Sequence, residues 1–336
     1  MYADINDKKQ KEIQFKRLTK LASKIRFNNE ACWCIANIGI TEHVYLLKNE
    51  KIIKDIIKLL YSKDEKVVES SIWALANISG EDPVARDLII NSGCVPRICR
   101  VVNRAPVSSK IMDVGVWALS NFCKREPPPQ WNKLKNIIPV FVDGIFKVDK
   151  EEPILDLLWG LMKLTEQSIG NEYFYNSLLS IERFIDMATS QPRFQFTALK
   201  IIGNLLFSEK DDEIQIVIDQ GVLKLINKHL NHEKQSFRNE VMMSFQNIST
   251  GNRKQIQACF ENGLYERALE KNMQFDIKYS LQYGISVLAN TANKGSFQQV
   301  LSMLELGAFR ILCETLIGNH INQNNQKVYS LKEVLQ

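Results

Sequence analysis

The stretch IWALANISG, residues 72–80, has two counterparts in the same chain: CWCIANIGI at 32–40 and VWALSNFCK at 116–124. Each holds a Trp, three residues, then an Asn, which puts Trp33–Asn37, Trp73–Asn77 and Trp117–Asn121 in one register. Beyond them, LLWGLMKLT (157–165) keeps the Trp at 159 and has Lys163 in the Asn slot. Farther on, LKIIGNLLF, MSFQNISTG and SVLANTANK supply Asn204, Asn247 and Asn290. The successive spacings are 40, 44, 42, 41, 43 and 43 residues. Self-similarity at such a period marks a stacked-repeat protein.

A second marker follows the first. Gly93, Gly221, Gly263 and Gly307 each stand 16 or 17 residues after one of these Asn residues. Glycine there suits the close of one helix and a tight turn into the next. Between the markers the apolar spacing is helical: KIIKDIIKLLYS (51–62) repeats at i, i+3, i+4 and i+7. VYLLKN, PRICRVV and KLINKHL read the same way, and strand alternation is scarce. Each unit is expected to hold one shorter and two longer helices. Alone it cannot bury its apolar face, so it stacks on its neighbours. The expected fold is all-α, a right-handed superhelical solenoid of about eight repeats. Residues 1–28 read as a short basic segment with a partial first repeat, and 29–336 as one array with no internal boundary. REPPPQ (125–130) reads as a rigid non-helical loop after the Trp117 helix, because three prolines fix φ and remove donors.

Composition agrees. The 336 residues are 45% hydrophobic and 24% charged, enough apolar content for a sizeable core. No apolar run is long enough for a membrane span, and the first residues lack a secretory signal. Seven cysteines, an odd number lying mostly in helical apolar segments, suit a reducing compartment. The net charge is +5, but residues 1–30 hold eight basic and four acidic residues, which leaves only +1 for the rest. A nearly neutral body does not suit direct nucleic-acid binding. Cys32 and Cys34 point to different helix faces and have no second pair at zinc spacing, so neither a metal site nor another cofactor is expected. His229 and His232, at the end of a helix, read as a solvated turn. No phosphate-binding, dinucleotide, nucleophile-elbow or zinc-protease motif occurs, so no enzyme is expected.

The Trp/Asn pattern carries the chemistry. Residues four apart on a helix share a face, so stacked repeats would set the Trps in one row and the Asns in another. An Asn carboxamide donates and accepts at once and could hold an extended peptide by its backbone. Neighbouring indoles would take Lys or Arg stems, with cation–π gains of roughly 0.5–2 kcal/mol per contact. Carboxylates at the rim, Glu69, Glu81 and Asp82, could take the cationic heads. Asn is poor inside helices, yet it stands at six of seven such positions, and four of five Trps occupy the repeat slot. Packing alone would admit Ala or Leu there, so a peptide groove is the preferred reading.

The segments VVESSIWALANISGEDPVARDLIINSGCVP (67–96) and VWALSNFCKREPPPQ (116–130) resemble the armadillo repeats of importin-α, the adaptor for nuclear localisation signals. STGNRKQIQACFENGL (249–264) resembles a later repeat, and the likeness covers roughly residues 29–320. The resemblance implies a major site at Trp33, Asn37, Trp73, Asn77, Trp117 and Asn121, extended by Trp159. It implies that Glu81 stands where the family usually has the Asp that pairs with the key lysine of the signal. It implies a nuclear import adaptor in cytoplasm and nucleus whose partners are proteins bearing basic signals. A minor site would use Asn204, Asn247 and Asn290, but the Trp slots before Asn247 and Asn290 hold Met243 and Ser286, and Lys200, beside Asn204, stands where the family tends to have an Arg. Those losses count against the second site and against two-part signals. Lys163 is a cation where a basic cargo would be repelled. The family begins with a long basic arm for importin-β. Residues 1–26 are basic but short, so importin-β binding is in question, and the chain stops before the repeat used by the family's export factor. The alternative reading is an importin-like armadillo scaffold that docks a different protein and carries out no import.

Overall fold

The computed structural model describes residues 28–168, 171–269 and 278–316. The basic segment 1–28 lies outside them apart from the backbone of Asn28. Every regular element among the described residues is helical. The chain forms two compact units, Met1–Gly170 and Asn171–Gln336.

In the first unit, α1 (Asn28–Gly39) is followed by a 3₁₀ turn (Glu42–Leu47), α2 (Glu50–Leu59) and α3 (Glu65–Glu81). Next come α4 (Pro83–Asn91), α5 (Cys94–Arg104) and α6 (Lys110–Asn121). A second 3₁₀ turn (Trp131–Lys133) leads to α7 (Ile137–Lys147) and α8 (Glu151–Glu166). The repeat is thus two short or middling helices and one long helix that bears the Trp/Asn pair. These long helices pack in succession, α1 on α3, α3 on α6 and α6 on α8. The apolar 44–47 stretch is only a 3₁₀ turn, because Thr41 caps it and Asn49 already caps the next helix.

In the second unit, α9 (Asn171–Tyr175), α10 (Leu178–Ser190) and α11 (Gln195–Leu205) form one repeat. α12 (Asp211–Asp219), α13 (Val222–His229) and α14 (Gln235–Ser249) form the next. α15 (Arg253–Glu261), α16 (Leu264–Arg267) and α17 (Lys278–Lys294) follow, then α18 (Phe297–Glu305) and α19 (Ala308–Leu316). Here too the long helices stack in succession, α11 on α14 and α14 on α17.

Local chemistry explains the joints. Gly93, Gly221, Gly263 and Gly307 all have φ between 71° and 95°. That left-handed backbone turns one helix into the next and is open to glycine at no steric cost. A Cβ on Gly93, Gly221 or Gly307 would meet nothing, so conformation and not crowding places glycine there. Gly39 is different: a Cβ would lie 3.2 Å from Asn77 and from Ile78, so its lack of a side chain lets α1 approach α3.

The 125–130 loop is irregular, as its prolines require, and includes a cis Glu126–Pro127 bond. A fully buried Arg86 on α4 holds it. The guanidinium donates to the carbonyls of Lys124 (2.5 Å), Arg125 (2.9 Å) and Pro127 (2.7 Å), and it pairs with Asp87 at 2.8 Å. His229 is buried, not solvated as the sequence suggested. Its Nε2 lies 3.3 Å from the Ala188 carbonyl oxygen, and its ring packs on His232 and Phe237. No helix among the described residues is long and apolar enough to cross a membrane.

Candidate functional site

All members of the predicted major site fall in the first unit, on the long helix of four consecutive repeats. Trp33 is on α1, Trp73 on α3, Trp117 on α6 and Trp159 on α8. Trp33 is 54% exposed and Trp73 41%, large values for indoles in a packed array. Trp117 and Trp159 are half-buried. Trp131, the one outside the repeat slot, sits in the second 3₁₀ turn with its indole N–H buried.

The Asn row behaves differently. Asn77 and Asn121 are buried, and each donates its amide N–H to the preceding repeat: Asn77 to the Ala36 carbonyl at 2.8 Å, Asn121 to the Ala76 carbonyl at 3.3 Å. Asn37 is exposed and donates within its own helix to the Trp33 carbonyl at 2.8 Å. An amide has a second N–H and a carbonyl with two lone pairs. The cross-repeat bond therefore leaves capacity for a peptide. It also supports the scaffold, because it ties the long helix of one repeat to that of the repeat before.

The acidic rim is distributed unevenly. Glu69 is half-buried, four residues before Trp73 and on the same face. Asp82 caps α4 through the Ala85 N–H at 2.8 Å and pairs with Lys48 at 2.5 Å, so its carboxylate serves the scaffold. Glu81 pairs with Arg125 at 3.0 Å. Two further charges, which the Trp/Asn pattern does not single out, line the Trp117–Trp159 end. Asp156, three residues before Trp159, accepts from Ser120 Oγ at 3.4 Å, and burial raises its pKa. Lys124 Nζ donates to the Asn121 carboxamide oxygen, Oδ1, and lies 5.3 Å from the centre of the Trp159 ring. Burial lowers its pKa, and Asp156 partly offsets that. Lys163 lies 5.8 Å from the same ring and pairs with Glu166 at 2.7 Å. The register carried a signal for the basic pair: Lys124 and Arg125 follow Trp117 by seven and eight residues, as Gly80 and Glu81 follow Trp73.

In the second unit the Asn row persists without indoles. Asn247 donates to the Gly203 carbonyl at 3.4 Å, and Asn290 to Ser249 Oγ at 2.9 Å. Asn204 is half-buried. Lys200 lies 5.7 Å from the centre of the Phe196 ring, and Met243 and Ser286 are half-buried. The five buried cysteines among the described residues, Cys32, Cys94, Cys99, Cys123 and Cys259, have thiols pushed up by burial, Cys99 and Cys123 to about 12. Such thiols are poor nucleophiles and poor metal ligands.

The Armadillo/beta-catenin-like repeat family matches residues 42–80. Importin subunit alpha-1b of rice (Oryza sativa subsp. japonica) is 28% identical over 220 residues, 63% of this chain and 40% of that protein. Importin subunit alpha-1a of rice is 28% identical over 239 residues, 70% of this chain and 45% of that protein. Importin subunit alpha-8 of Arabidopsis thaliana is 25% identical over 297 residues, 86% of this chain and 64% of that protein. The chain thus spans less than half the length of the rice relatives. A crystal structure of an engineered protein from the Northeast Structural Genomics Consortium superposes with a TM-score of 0.77 at 19% identity, over 89% of this chain and 73% of that one, a likeness of fold alone. With an armadillo match at 42–80, importin-α relatives at modest identity and stacked helical repeats among the described residues, the chain is a divergent importin-α-like armadillo-repeat protein.

Proposed function

We propose that the first unit binds basic peptide segments in extended form along its Trp33–Trp159 face and that the protein serves as a nuclear import adaptor. One observation carries this reading: indoles recur on four consecutive long helices, and two of them stand open to solvent. Exposed Trp at a fixed repeat spacing has no packing use, whereas a row of indoles offers slots for long aliphatic stems with cationic ends. The partners on this reading are proteins with basic nuclear localisation signals, and the protein works in cytoplasm and nucleus. Importin-β is a further partner if a basic arm is available to it. The second unit, with its Asn row but no indoles, contributes little peptide affinity.

The test is a titration of a labelled lysine-rich peptide against wild type and Trp73→Ala/Trp117→Ala. Affinity lost in a variant with an unchanged melting temperature supports the groove; unchanged affinity sinks it. The pair is chosen over Asn77 because Asn77 is buried and ties α3 to α1. The scaffold reading has one specific observation in its favour, the two lysines gathered at Trp159. Capture of a non-basic protein partner by a surface that ignores the lysine-rich peptide decides for it.

A further inference from the structure

Three groups in the groove are suited to a peptide's cationic side chains: the Glu81 carboxylate, the Asn121 carboxamide and the Trp159 indole. Each is already engaged by a cation of this chain, and two neighbouring residues supply both cations. Arg125 donates to the Glu81 carboxylate at 3.0 Å and to the Gly80 carbonyl at 2.5 Å. Lys124 Nζ donates to the Asn121 carboxamide oxygen, Oδ1, and lies over the Trp159 ring at 5.3 Å. We propose that Lys124–Arg125 is a tethered basic dipeptide that occupies the groove and competes with an incoming basic peptide. This rests on the groove reading above and names how that site is regulated.

The placement is built into the fold. Arg125 holds a left-handed backbone, φ 71°, which a side chain adopts only when its surroundings impose it. The surroundings do so here: the buried Arg86 guanidinium grips the carbonyls of Lys124, Arg125 and Pro127. One buried arginine thus fixes the turn that aims a second, exposed arginine at Glu81. The Arg125–Glu81 pair is 46% exposed on both sides. An ion pair of that exposure is weak and exchangeable, so it acts as a competitor that a multiply charged peptide displaces, and not as a permanent plug. Tethering keeps the dipeptide at a high effective concentration. The observed affinity for a peptide is reduced in proportion to the fraction of chains in which the groove is open. The consequence is a threshold: a peptide with one or two cations loses to the tethered pair, and a longer basic run displaces it.

The experiment is anisotropy of a labelled lysine-rich peptide with the full chain in four forms: wild type, Arg125→Gly, Glu81→Gln and the double variant. Glycine accepts the left-handed φ without strain, so Arg125→Gly removes the side chain and keeps the turn. Arg125→Gln, which keeps the stem and drops the charge, guards against a folding effect. Both Arg125 variants are expected to bind about 5- to 10-fold tighter than wild type, from removal of a competing ion pair and of its charge. Glu81→Gln alone is expected to change affinity by less than about 2-fold, because its charge is already used, yet to cancel most of the gain in the double variant. Wild-type binding with no gain in either Arg125 variant overturns the tethered competitor and leaves the groove intact. Absence of binding by folded wild type and by both Arg125 variants overturns the groove reading, and this inference with it.

Discussion

The two units present the same long helix at the same spacing but do different things with it. In both, an Asn on that helix bonds the preceding repeat: Asn77 and Asn121 in the first unit, Asn247 and Asn290 in the second. Only the first unit sets a Trp four residues before that Asn. The shared feature is therefore scaffold, and the feature that differs is the candidate binding surface. An Asn row by itself reports a way of stacking helices. A Trp row, because it leaves large apolar surface in water, reports something that covers it.

Four measurements would break or sharpen this contrast. The largest effect is expected at Arg86, which has no counterpart of its kind among the described residues of the second unit. Arg86→Met leaves Asp87 and three carbonyls without their partner, and loss of one side of a buried charged network costs about 3–5 kcal/mol. A drop of several degrees in the first melting transition checks it; an unchanged melt would show that the 125–130 loop holds itself. Next, Trp73→Ala/Trp117→Ala should weaken lysine-rich peptide binding by at least about 30-fold, as loss of central aromatic anchors does. Met243→Ala in the second unit should leave that affinity unchanged. Equal losses from both would erase the distinction between the units.

The third concerns the shared feature. Asn77→Ala removes a buried cross-repeat hydrogen bond to the Ala36 carbonyl and should cost about 1–1.5 kcal/mol. Asn247→Ala, which removes a longer bond at a half-buried site, should cost less, about 0.5–1 kcal/mol. Denaturant melts of the two variants check the order, and a neutral Asn77→Ala would return the Asn row to a purely functional reading. The smallest effect is a pH slope in the second unit. Burial holds His229 below its ordinary pKa, more strongly than its bond to Ala188 raises it, and the nearby His232 and Lys228 add to the depression. As pH falls through about 6.5 the unfolded chain takes up this proton first, so stability held above that pH is lost below it. Melting from about pH 7.5 to about pH 5.5 should show the loss in wild type and a shallower one in His229→Asn; parallel slopes would dismiss the histidine.

Much of the candidate site was legible from local pattern. Trp33, Trp73, Trp117 and Trp159 were marked by their spacing, and the structure places all four on the corresponding helix of successive repeats. The joints were legible too, since a left-handed turn asks for glycine wherever it occurs. Arg86 left a fainter trace: it shares a helix face with Ile89 and Ile90, where a cation needs partners. The partners themselves, carbonyls 38 to 41 residues away, have no local signature.

The sequence by itself determined the helical class, the repeat length and the row of indoles, because each follows from period, propensity and turn chemistry within one repeat. Only the tertiary structure decided which partners the polar groups take. Asn77 turns to Ala36, Asp82 to a helix cap and Lys48, Glu81 to Arg125, and Lys124 to Asn121 beside Trp159. Several of these choices join residues about 40 apart, one repeat against the next. They are settled by which donor and acceptor the stacking brings within about 3 Å, and no local pattern encodes that distance.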